Sequence, residues 1–393
     1  MSIARVKLLN RNIFLFGIYK VFIKRVFLPL TTIYASEQAG LSIQQIGLTA
    51  GIASGVSFLL DALTGHWADK YGRRLSAQIG ASFAVFGSAL YIVSTNFVGI
   101  LSASIVLAIA YSFMNGSIEA LMHDTLVELN RPDDYAKVAS RAQSLSLVAN
   151  SVLITVIPLL YPIDRRLPFV VGLIAYLALF FISSLLTEPK IKYDEEQITT
   201  FYRSLRRIIN RHTFCYFFFL GILYASSTGP IDTFNLGLLK LGYEVRYLGL
   251  LFGVTSLFGA ILGLYAHSLK RLSFKQYATF DIIINFLPFV AFGVFRSLIL
   301  STIIFIINFS FWRYEQIMFQ HYMLKLYGTS RLKATLVSIT TNFRSLHEVW
   351  IAIGIATLAQ NTDVLSAIGY SSWGLVLLMP IMLVSIAAFE KNR

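Results

Sequence analysis

Long apolar stretches alternate with short polar segments along almost the whole chain of 393 residues. A helix that crosses a bilayer needs about 20 mostly apolar residues, and the pattern supplies twelve such stretches. The predicted spans are residues 12–35, 45–64, 76–95, 98–122, 139–161, 167–187, 213–236, 246–268, 275–295, 298–322, 334–359 and 364–388. The pattern therefore predicts an all-α integral membrane protein with twelve transmembrane helices.

The composition agrees with a membrane protein and excludes several kinds of site. Apolar residues make up 56% of the chain and charged residues only 13%, whereas soluble domains carry about 25% charged residues. The single cysteine, Cys215, excludes a disulfide framework and a cysteine-based metal site. The N-terminal segment does not resemble a signal peptide, because Arg5, Lys7 and Arg11 precede a stretch that is too long and too charged.

The net charge of +13 is interpreted as a signal of orientation in the membrane. When both termini are placed in the cytoplasm, most Lys and Arg residues fall in segments on the cytoplasmic side, as is typical of membrane proteins. No nucleic-acid partner is therefore expected.

A long polar segment, residues 188–212, divides six predicted spans from six. A weak internal repeat supports this division, because Ile-Gly-Leu at 46–48 recurs as Leu-Gly-Leu at 248–250. We expect residues 1–187 and 213–393 to form two pseudo-symmetric six-helix bundles, joined by 188–212 as a cytoplasmic linker.

Between the second and third predicted spans lies a basic island, residues 65–74, with the sequence GHWADKYGRR. Its glycines, single carboxylate and cations predict a turn that is held electrostatically at the membrane surface. The island closely resembles the loop between helices 2 and 3 of the major facilitator superfamily, G-x-L-A-D-[RK]-x-G-[RK]-[RK], and only Trp67 departs from it, standing where the family prefers leucine. The resemblance implies a monomeric secondary transporter that works by alternating access between two bundles.

Two further segments, around residues 116–141 and 330–338, resemble a bacterial branch of this superfamily that contains efflux proteins. The resemblance implies a multi-pass protein of the bacterial inner membrane, without a cofactor or a metal.

The resemblance also implies a cytoplasmic gate. In that gate Arg73 would pair with Asp124 at the end of the fourth span, with Arg141 close by. Such a cluster locks the two halves together on the inside and breaks when the inward face opens. The alternative is that the residues only shape the loop and set the topology. The predicted gating residues are Gly65, Asp69, Gly72, Arg73, Asp124 and Arg141.

The first predicted span carries three cations, Lys20, Lys24 and Arg25. A charge at the centre of a membrane helix costs at least about 2.5–3.5 kcal/mol and therefore suggests function. One interpretation makes these cations ion-paired partners of buried carboxylates on neighbouring helices. The other makes them a cationic wall of the cavity that attracts an anionic group of the substrate, with Lys24 as the strongest single candidate.

Further candidates lie in the fourth, tenth and eleventh spans. Arg344 and Glu348 are four residues apart and can neutralise one another as scaffold, but a buried carboxylate beside a cation and a histidine can also relay protons. Glu119 is expected beside Asp124 if it does not couple protons, and a lone histidine is more often a packing residue. The predicted substrate-binding residues here are Asn115, Arg313, Tyr314 and Arg344, and the predicted proton-coupling residues are Glu119, Glu315, His347 and Glu348.

The sequence argues against several other classes of function. No glycine-rich loop followed by Lys-Ser/Thr is present for an ATP-driven pump, and no catalytic or metal-binding motif is present for an enzyme. Two pseudo-repeats within one chain also favour a monomeric transporter over a channel, which uses rings of identical groups around an oligomer axis.

Three departures from related transporters bear on the cargo. The fifth span lacks the glycine-proline pattern of many drug/proton antiporters, Ser112 stands where many relatives have an arginine, and the first span presents lysines where exporters of cations often present an acid. We therefore predict a proton-coupled exporter of a small organic anion or amphiphile. The alternatives are a broad-specificity drug/proton antiporter and a non-transporting receptor or lipid-handling relative.

Overall fold

The computed structural model of the chain describes residues 2–24, 27–190, 218, 221–226, 228–269, 272–327, 333–371 and 373. Within these helices, the side chains of 263–269, 313–327 and 333–341 and of a few single positions are not described. All regular secondary structure in the described ranges is helical.

The helices follow the order of the predicted spans. They are α1 (Ile3–Phe22), α2 (Thr31–Glu37), α3 (Ile43–Tyr71), α4 (Arg73–Val93), α5 (Phe97–Met114), α6 (Ser117–Glu128), α7 (Tyr135–Val156), α8 (Leu167–Leu185), α9 (Ile231–Lys240), α10 (Val245–Leu269), α11 (Phe274–Val290), α12 (Leu298–Tyr327) and α13 (Lys333–Asn361). Residues 221–226 and 364–371 are also helical. Most of the last predicted span, 364–388, lies outside the described residues, as does part of the seventh, 213–236.

Several of these helices are long and apolar enough to cross a membrane. Within the described part of the chain, six helical stretches meet that requirement by length and composition. Two shorter apolar stretches, Val245–Gly259 and Leu298–Trp312, accompany them. The helical architecture and the spacing of these stretches agree with the expected all-α membrane fold.

The first predicted span is not one continuous helix, which corrects the prediction for residues 12–35. Helix α1 ends at Phe22, and after a short 3-10 turn at Leu28–Leu30 the chain continues as α2. Pro29 has no backbone N–H to continue a helical ladder, and its ring disfavours helical dihedral angles at the preceding residue. The chain therefore breaks beside the predicted cations.

The fourth predicted span, residues 98–122, is also broken. Helix α5 ends at Met114, Asn115 is extended with ψ 131°, and Gly116 has φ +80° before α6 begins at Ser117. A positive φ of this kind is readily available to glycine and costs other residues free energy. Asn115 and Gly116 are both exposed at this break.

The basic island is a helix with a single interruption, which corrects the predicted loop at 65–74. Helix α3 continues through Gly65 to Tyr71, and α4 begins at Arg73, so that only Gly72, with φ +110°, separates them. A Cβ atom added at Gly65 would meet nothing within 4 Å. The packing described around Gly65 therefore does not require glycine there, whereas the conformation of Gly72 does favour it.

The chain forms two compact units. Unit 1 comprises Met1–Leu41, Gly55–Lys192 and Val245–Gly253, and unit 2 comprises Ser42–Ser54, Tyr193–Glu244 and Val254–Arg393. In unit 1, α4 packs against α5 and α8, and α1 packs against α7 and α8. Buried small residues such as Ala77, Ala81 and Ala84 line α4 and allow this close approach.

The internal repeat has a physical counterpart in two close helix crossings, one in each unit. In unit 2, a Cβ atom on Gly47 would lie 2.8 Å from the backbone oxygen of Ala352 in α13. In unit 1, a Cβ atom on Gly249 would lie 2.7 Å from the backbone oxygens of Ile154 and Thr155 in α7. At both crossings only glycine fits without a shift of the backbone.

Candidate functional site

Two of the predicted gating residues, Arg73 and Asp124, form a buried ion pair within unit 1, and not between the two halves as expected. Arg73 Nη1 lies 2.8 Å from Asp124 Oδ2, and Arg73 Nη2 lies 3.3 Å from Asp69 Oδ1. The side chains of Arg73 and Asp124 are only 11% and 5% exposed, whereas that of Asp69 is 52% exposed. Because removal of one partner of a buried pair leaves an uncompensated charge, loss of Asp124 should cost more than loss of Asp69. Arg141 is exposed on α7.

Glu188, which sequence reasoning missed, caps the helix that carries Arg73. Its Oε1 accepts the backbone N–H of Arg73 at 2.8 Å and its Oε2 accepts that of Arg74 at 2.7 Å. The cap position of α4 is Gly72, which has no side chain to satisfy these first-turn donors. A glycine at a cap position was the available signal that another part of the chain must supply the acceptor.

Two arginines donate hydrogen bonds to backbone oxygens at the C-terminal end of α8. Arg11 donates to the backbone oxygen of Leu185 at 2.6 Å, and Arg74 donates to that of Ser184 at 2.7 Å. The last carbonyl groups of a helix have no partner within the helix, and cations are favoured beside them. These two cations therefore stabilise the C-terminal end of α8.

A second ion pair of unit 1 joins the two broken spans. Lys20, in the last turn of α1, binds Glu119 in the first turn of α6. Tyr135 at the start of α7 donates its hydroxyl hydrogen to Glu119 Oε2 at 3.3 Å. The backbone oxygen of Lys20 also accepts a hydrogen bond of 2.6 Å from Ser146 Oγ of α7. Three helices thus meet at this pair, beside the exposed break at Asn115.

The placement of Glu119 differs from the sequence expectation. Glu119 lies with Lys20, and Asp124 lies with Arg73, so the two carboxylates of α6 belong to two separate ion pairs. Residues 119 and 124 are five apart, which points them towards different faces of a helix. The structure also corresponds to the interpretation in which a cation of the first span is paired with a carboxylate of a neighbouring helix.

The structure describes only one of the two remaining cations of the first predicted span, Lys24 and Arg25. Lys24 is half-buried just beyond the end of α1 and makes contacts of its own. Arg25 lies outside the described residues. Arg313, Tyr314 and Glu315 belong to α12, but their side chains are also outside the described part.

Unit 2 contains the predicted pair Arg344–Glu348. Arg344 Nε lies 3.5 Å from Glu348 Oε1, and both residues belong to the uninterrupted helix α13. The hydroxyl group of Thr228 donates to Glu348, and the guanidinium of Arg344 lies 4.9 Å from the ring centre of Tyr224. The side chains are 24% and 16% exposed. The scaffold interpretation, in which the two charges neutralise one another, corresponds to this geometry.

His347 is buried in an aromatic environment next to this pair. Trp350 Nε1 donates to His347 Nδ1 at 2.8 Å, and the ring of Phe218 lies edge-on at 4.5 Å. Only an imidazole without a proton on Nδ1 can accept this hydrogen bond, so this contact requires the neutral form of His347. These contacts support the packing interpretation of His347.

A buried carboxylate in α11, Asp281, was missed although the sequence carried its signal. Asp281 is 0% exposed and lies inside the predicted span 275–295. Tyr277 and Asn285 contact its two oxygens, at 3.4 and 3.2 Å. A single acid within an apolar run is a candidate functional residue on that ground alone.

Comparisons with known proteins agree with this architecture. The family model described as Major Facilitator Superfamily matches residues 13–347. No curated protein matches the sequence. The crystal structure of a mutant form of the nucleoside transporter NupG superposes with a TM-score of 0.81 at 13% identity, covering 96% of this chain and 99% of that one.

Two further solved structures cover the whole of this chain. An inward-facing bacterial homologue of the human lysosomal transporter Spinster gives a TM-score of 0.72 at 14% identity and is covered over 99% of its length. The POT family transporter PepTSo gives 0.75 at 10% identity and is also covered over 99%. At such identities these likenesses establish the fold alone, which has twelve transmembrane helices in two pseudo-symmetric bundles. With the match of the family model over most of its length, the chain belongs to the Major Facilitator Superfamily.

Proposed function

We propose that this multi-pass membrane protein is a proton-coupled secondary transporter that exports a small organic anion or an anionic amphiphile by alternating access. We place it in a bacterial inner membrane as a monomer, with both termini in the cytoplasm. The observation that carries the proposal is the Lys20–Glu119 pair, which joins the broken spans α1/α2 and α5/α6.

The break between α5 and α6 provides a second attraction for an anion. The first N–H groups of a helix have no acceptor within the helix, and they carry the positive end of its dipole. Gly116 at the cap position of α6 has no side chain to satisfy them. Transporters commonly point such half-helix ends at anionic groups of their substrates. Lys20 and the start of α6 therefore supply positive charge from two directions.

Competition between Glu119 and the cargo for Lys20 couples proton binding to anion binding. Ionised Glu119 holds Lys20, and a cargo carboxylate must displace Glu119 to reach the ammonium group. Protonation of Glu119 removes its charge and releases Lys20, so proton binding and anion binding reinforce one another. Proton and anion then move in the same direction, and export is driven by the outward gradient of the cargo.

The cytoplasmic gate is the second part of the proposal. The buried Arg73–Asp124 pair holds the ends of α4 and α6 together, and Asp69, Gly65, Gly72 and Arg141 act with it in the opening and closing of the inward face. We expect Arg73→Ala to impair transport while sparing expression. Undiminished flux in this variant would contradict the gating role.

The proposal is tested with purified protein in proteoliposomes that contain a pH dye. Benzoate, decanoate and the lipophilic cation tetraphenylphosphonium are added with and without a pH gradient. We expect proton movement with the anions in the wild type and its loss in Lys20→Gln. Lys7→Gln is the matched control, because Lys7 is exposed on the same helix. A response to the cation alone would reject anion transport and favour the drug/proton antiporter.

A further inference from the structure

Asp281 occupies a position that is costly for a charge. It is 0% exposed, and it lies within a candidate membrane span, Lys275–Phe295. A carboxylate that is removed from water needs hydrogen bonds, a cation or a proton, because an isolated charge in such a medium is strongly disfavoured. Intramembrane acids of this kind are found where ions or protons pass.

A chain of hydrogen bonds leads from the middle of α12 to this carboxylate. Asn308 Nδ2 donates to the backbone oxygen of Ile284 at 3.2 Å and to Asn285 Oδ1 at 2.9 Å. Asn285 Nδ2 donates to Asp281 Oδ2 at 3.2 Å, and the hydroxyl group of Tyr277 donates to Asp281 Oδ1 at 3.4 Å. The side chains of this network are buried.

The orientation of the two amide groups in this hydrogen-bond network follows from the contacts of Asn308. A backbone oxygen only accepts hydrogen bonds, so the atom of Asn308 that faces Ile284 must be the amide nitrogen. The same nitrogen then faces the oxygen of Asn285, which turns the nitrogen of Asn285 towards Asp281. Asp281 Oδ2 therefore accepts a bond from a group that cannot accept one in return.

The other carboxyl oxygen faces a group that can either donate or accept. A tyrosine hydroxyl does both, and its hydrogen rotates to suit its neighbour. Tyr277 can donate to Asp281 Oδ1 when the carboxylate is ionised, and it can accept from Oδ1 when that oxygen carries a proton. The hydrogen bond between Tyr277 and Asp281 can therefore form in either protonation state of the carboxyl group.

At the Asn308 end of this hydrogen-bond network, one oxygen atom is left as an acceptor for a water molecule. Asn308 is 1% exposed, and its Oδ1 has no hydrogen-bond partner in the described part of the chain. A buried amide oxygen is normally satisfied, so this atom marks a place for a donor such as a water molecule. A donor at this point completes the hydrogen bonds of Asn308 and so holds the amide of Asn285 in the orientation that donates to Asp281.

Other ionisable groups lie on the elements that pack against α11. The π-helical turn Ala291–Phe295 contains none, and α12 carries Arg313 and Glu315, whose side chains are not described. On α11 itself, Tyr277 faces Asp281 and Lys275 is exposed. Variants of Arg313 and Glu315 therefore belong in the same measurements.

We propose that Asp281 is a proton-binding site of the transport cycle, with Tyr277 as the residue that positions its proton. On binding, an O–H bond forms at Asp281 Oδ1 and the carboxylate becomes a neutral acid. On release that bond breaks, and the proton passes to a water molecule on the Tyr277 side of the carboxyl group, because the amide of Asn285 only donates to Oδ2. This inference rests on the proton coupling of the proposed function, and it adds a site in unit 2 to the Lys20–Glu119 pair of unit 1.

Infrared difference spectroscopy tests the protonation without any cargo. Spectra of the reconstituted protein are compared between acidic and alkaline buffer. We expect a carbonyl band of a buried carboxylic acid in the wild type, loss of this band in Asp281→Asn, and its persistence in Asp363→Asn, Arg313→Gln and Glu315→Gln. Asp363 is the matched control, because its side chain is 53% exposed. Spectra of Asp281→Asn identical to those of the wild type would overturn the proposal.

A flux measurement tests the role in coupling. With benzoate as the probe, Asp281→Asn is expected to retain benzoate exchange and to lose pH-driven accumulation by about tenfold, within the usual range of coupling between sites. Wild-type accumulation in this variant would overturn the role. If the wild type carries none of the test anions, the proposed function fails while the infrared result still decides the protonation.

A milder variant guards against misfolding of Asp281→Asn. Tyr277→Phe removes a single hydroxyl group at nearly constant volume. We expect it to shift the carboxyl band and the pH profile of benzoate exchange. If both are unchanged, Tyr277 does not position the proton and the proposed network is wrong.

Discussion

Two ion pairs of this protein are buried to a similar extent but are built differently. The side chains of Lys20 and Glu119 in unit 1 are 17% and 36% exposed, and those of Arg344 and Glu348 in unit 2 are 24% and 16% exposed. The first pair joins residues 99 positions apart in the sequence, whereas the second joins residues four apart on one helix.

The difference determines what each pair can do. Residues four apart stay together as long as their helix stays folded, so Arg344–Glu348 moves with α13 as one body. Lys20 and Glu119 belong to α1 and α6, which can separate. Only the pair between helices can therefore open and close as helices shift, and charge alone did not distinguish the two pairs in the sequence.

The largest loss of stability is expected when a charge in the pair between helices is reversed. Lys20→Glu places two carboxylates together between helices, and because Glu119 is 36% exposed we expect a loss below the roughly 3–5 kcal/mol of a fully buried pair. The double variant Lys20→Glu/Glu119→Lys should recover most of that stability. Thermal unfolding of the detergent-purified protein measures both. A double variant that is no more stable than the single one would show that the contact does not stabilise unit 1.

A glycine substitution tests the break that positions Glu119. Gly116 has φ +80°, and alanine in the left-handed region costs about 1–2 kcal/mol. We expect Gly116→Ala to lower the unfolding temperature and to slow anion flux. Gly354 in the uninterrupted helix α13 is the control, since a Cβ there meets nothing within 4 Å, and its replacement by alanine should stabilise by about 0.5–1 kcal/mol. Equal effects of the two substitutions would contradict the special role of the break.

The smallest effect is expected for the pair within one helix. Glu348→Gln keeps an acceptor for the hydroxyl group of Thr228 and leaves Arg344 against the ring of Tyr224, so we expect a smaller loss than for Lys20→Glu, which brings two like charges together. Thermal unfolding again provides the measurement. A loss as large as that of Lys20→Glu would mean that the two pairs are energetically alike.

Sequence reasoning identified local features better than partners. The Arg73–Asp124 pair was predicted, because the resemblance to a known family implied it. The partner of Lys20 could not be read from the sequence, since the packing of α1 against α6 brings together residues that are 99 positions apart. Nothing in the local pattern distinguishes Glu119 from Asp124 as that partner.

Some other features of the structure could have been predicted from the sequence. Pro29 and Gly116 are ordinary signals of interruption, yet the long apolar runs around them were interpreted as continuous spans. Asp281 stands alone in an apolar run, and a single acid in such a run is itself the signal of a candidate functional residue. Glu188 was recognisable only by the absence of a side chain at Gly72, and its identity as the cap depends on the tertiary fold.

The pH dependence of anion binding tests the central claim most directly. Benzoate affinity is measured between acidic and alkaline pH for the wild type, Glu119→Gln and Glu348→Gln. If protonation of Glu119 releases Lys20, wild-type affinity falls as pH rises, Glu119→Gln binds with little dependence on pH, and Glu348→Gln behaves as the wild type. A Glu119→Gln protein that keeps the wild-type pH dependence would contradict the proposal that this pair couples protons to the cargo.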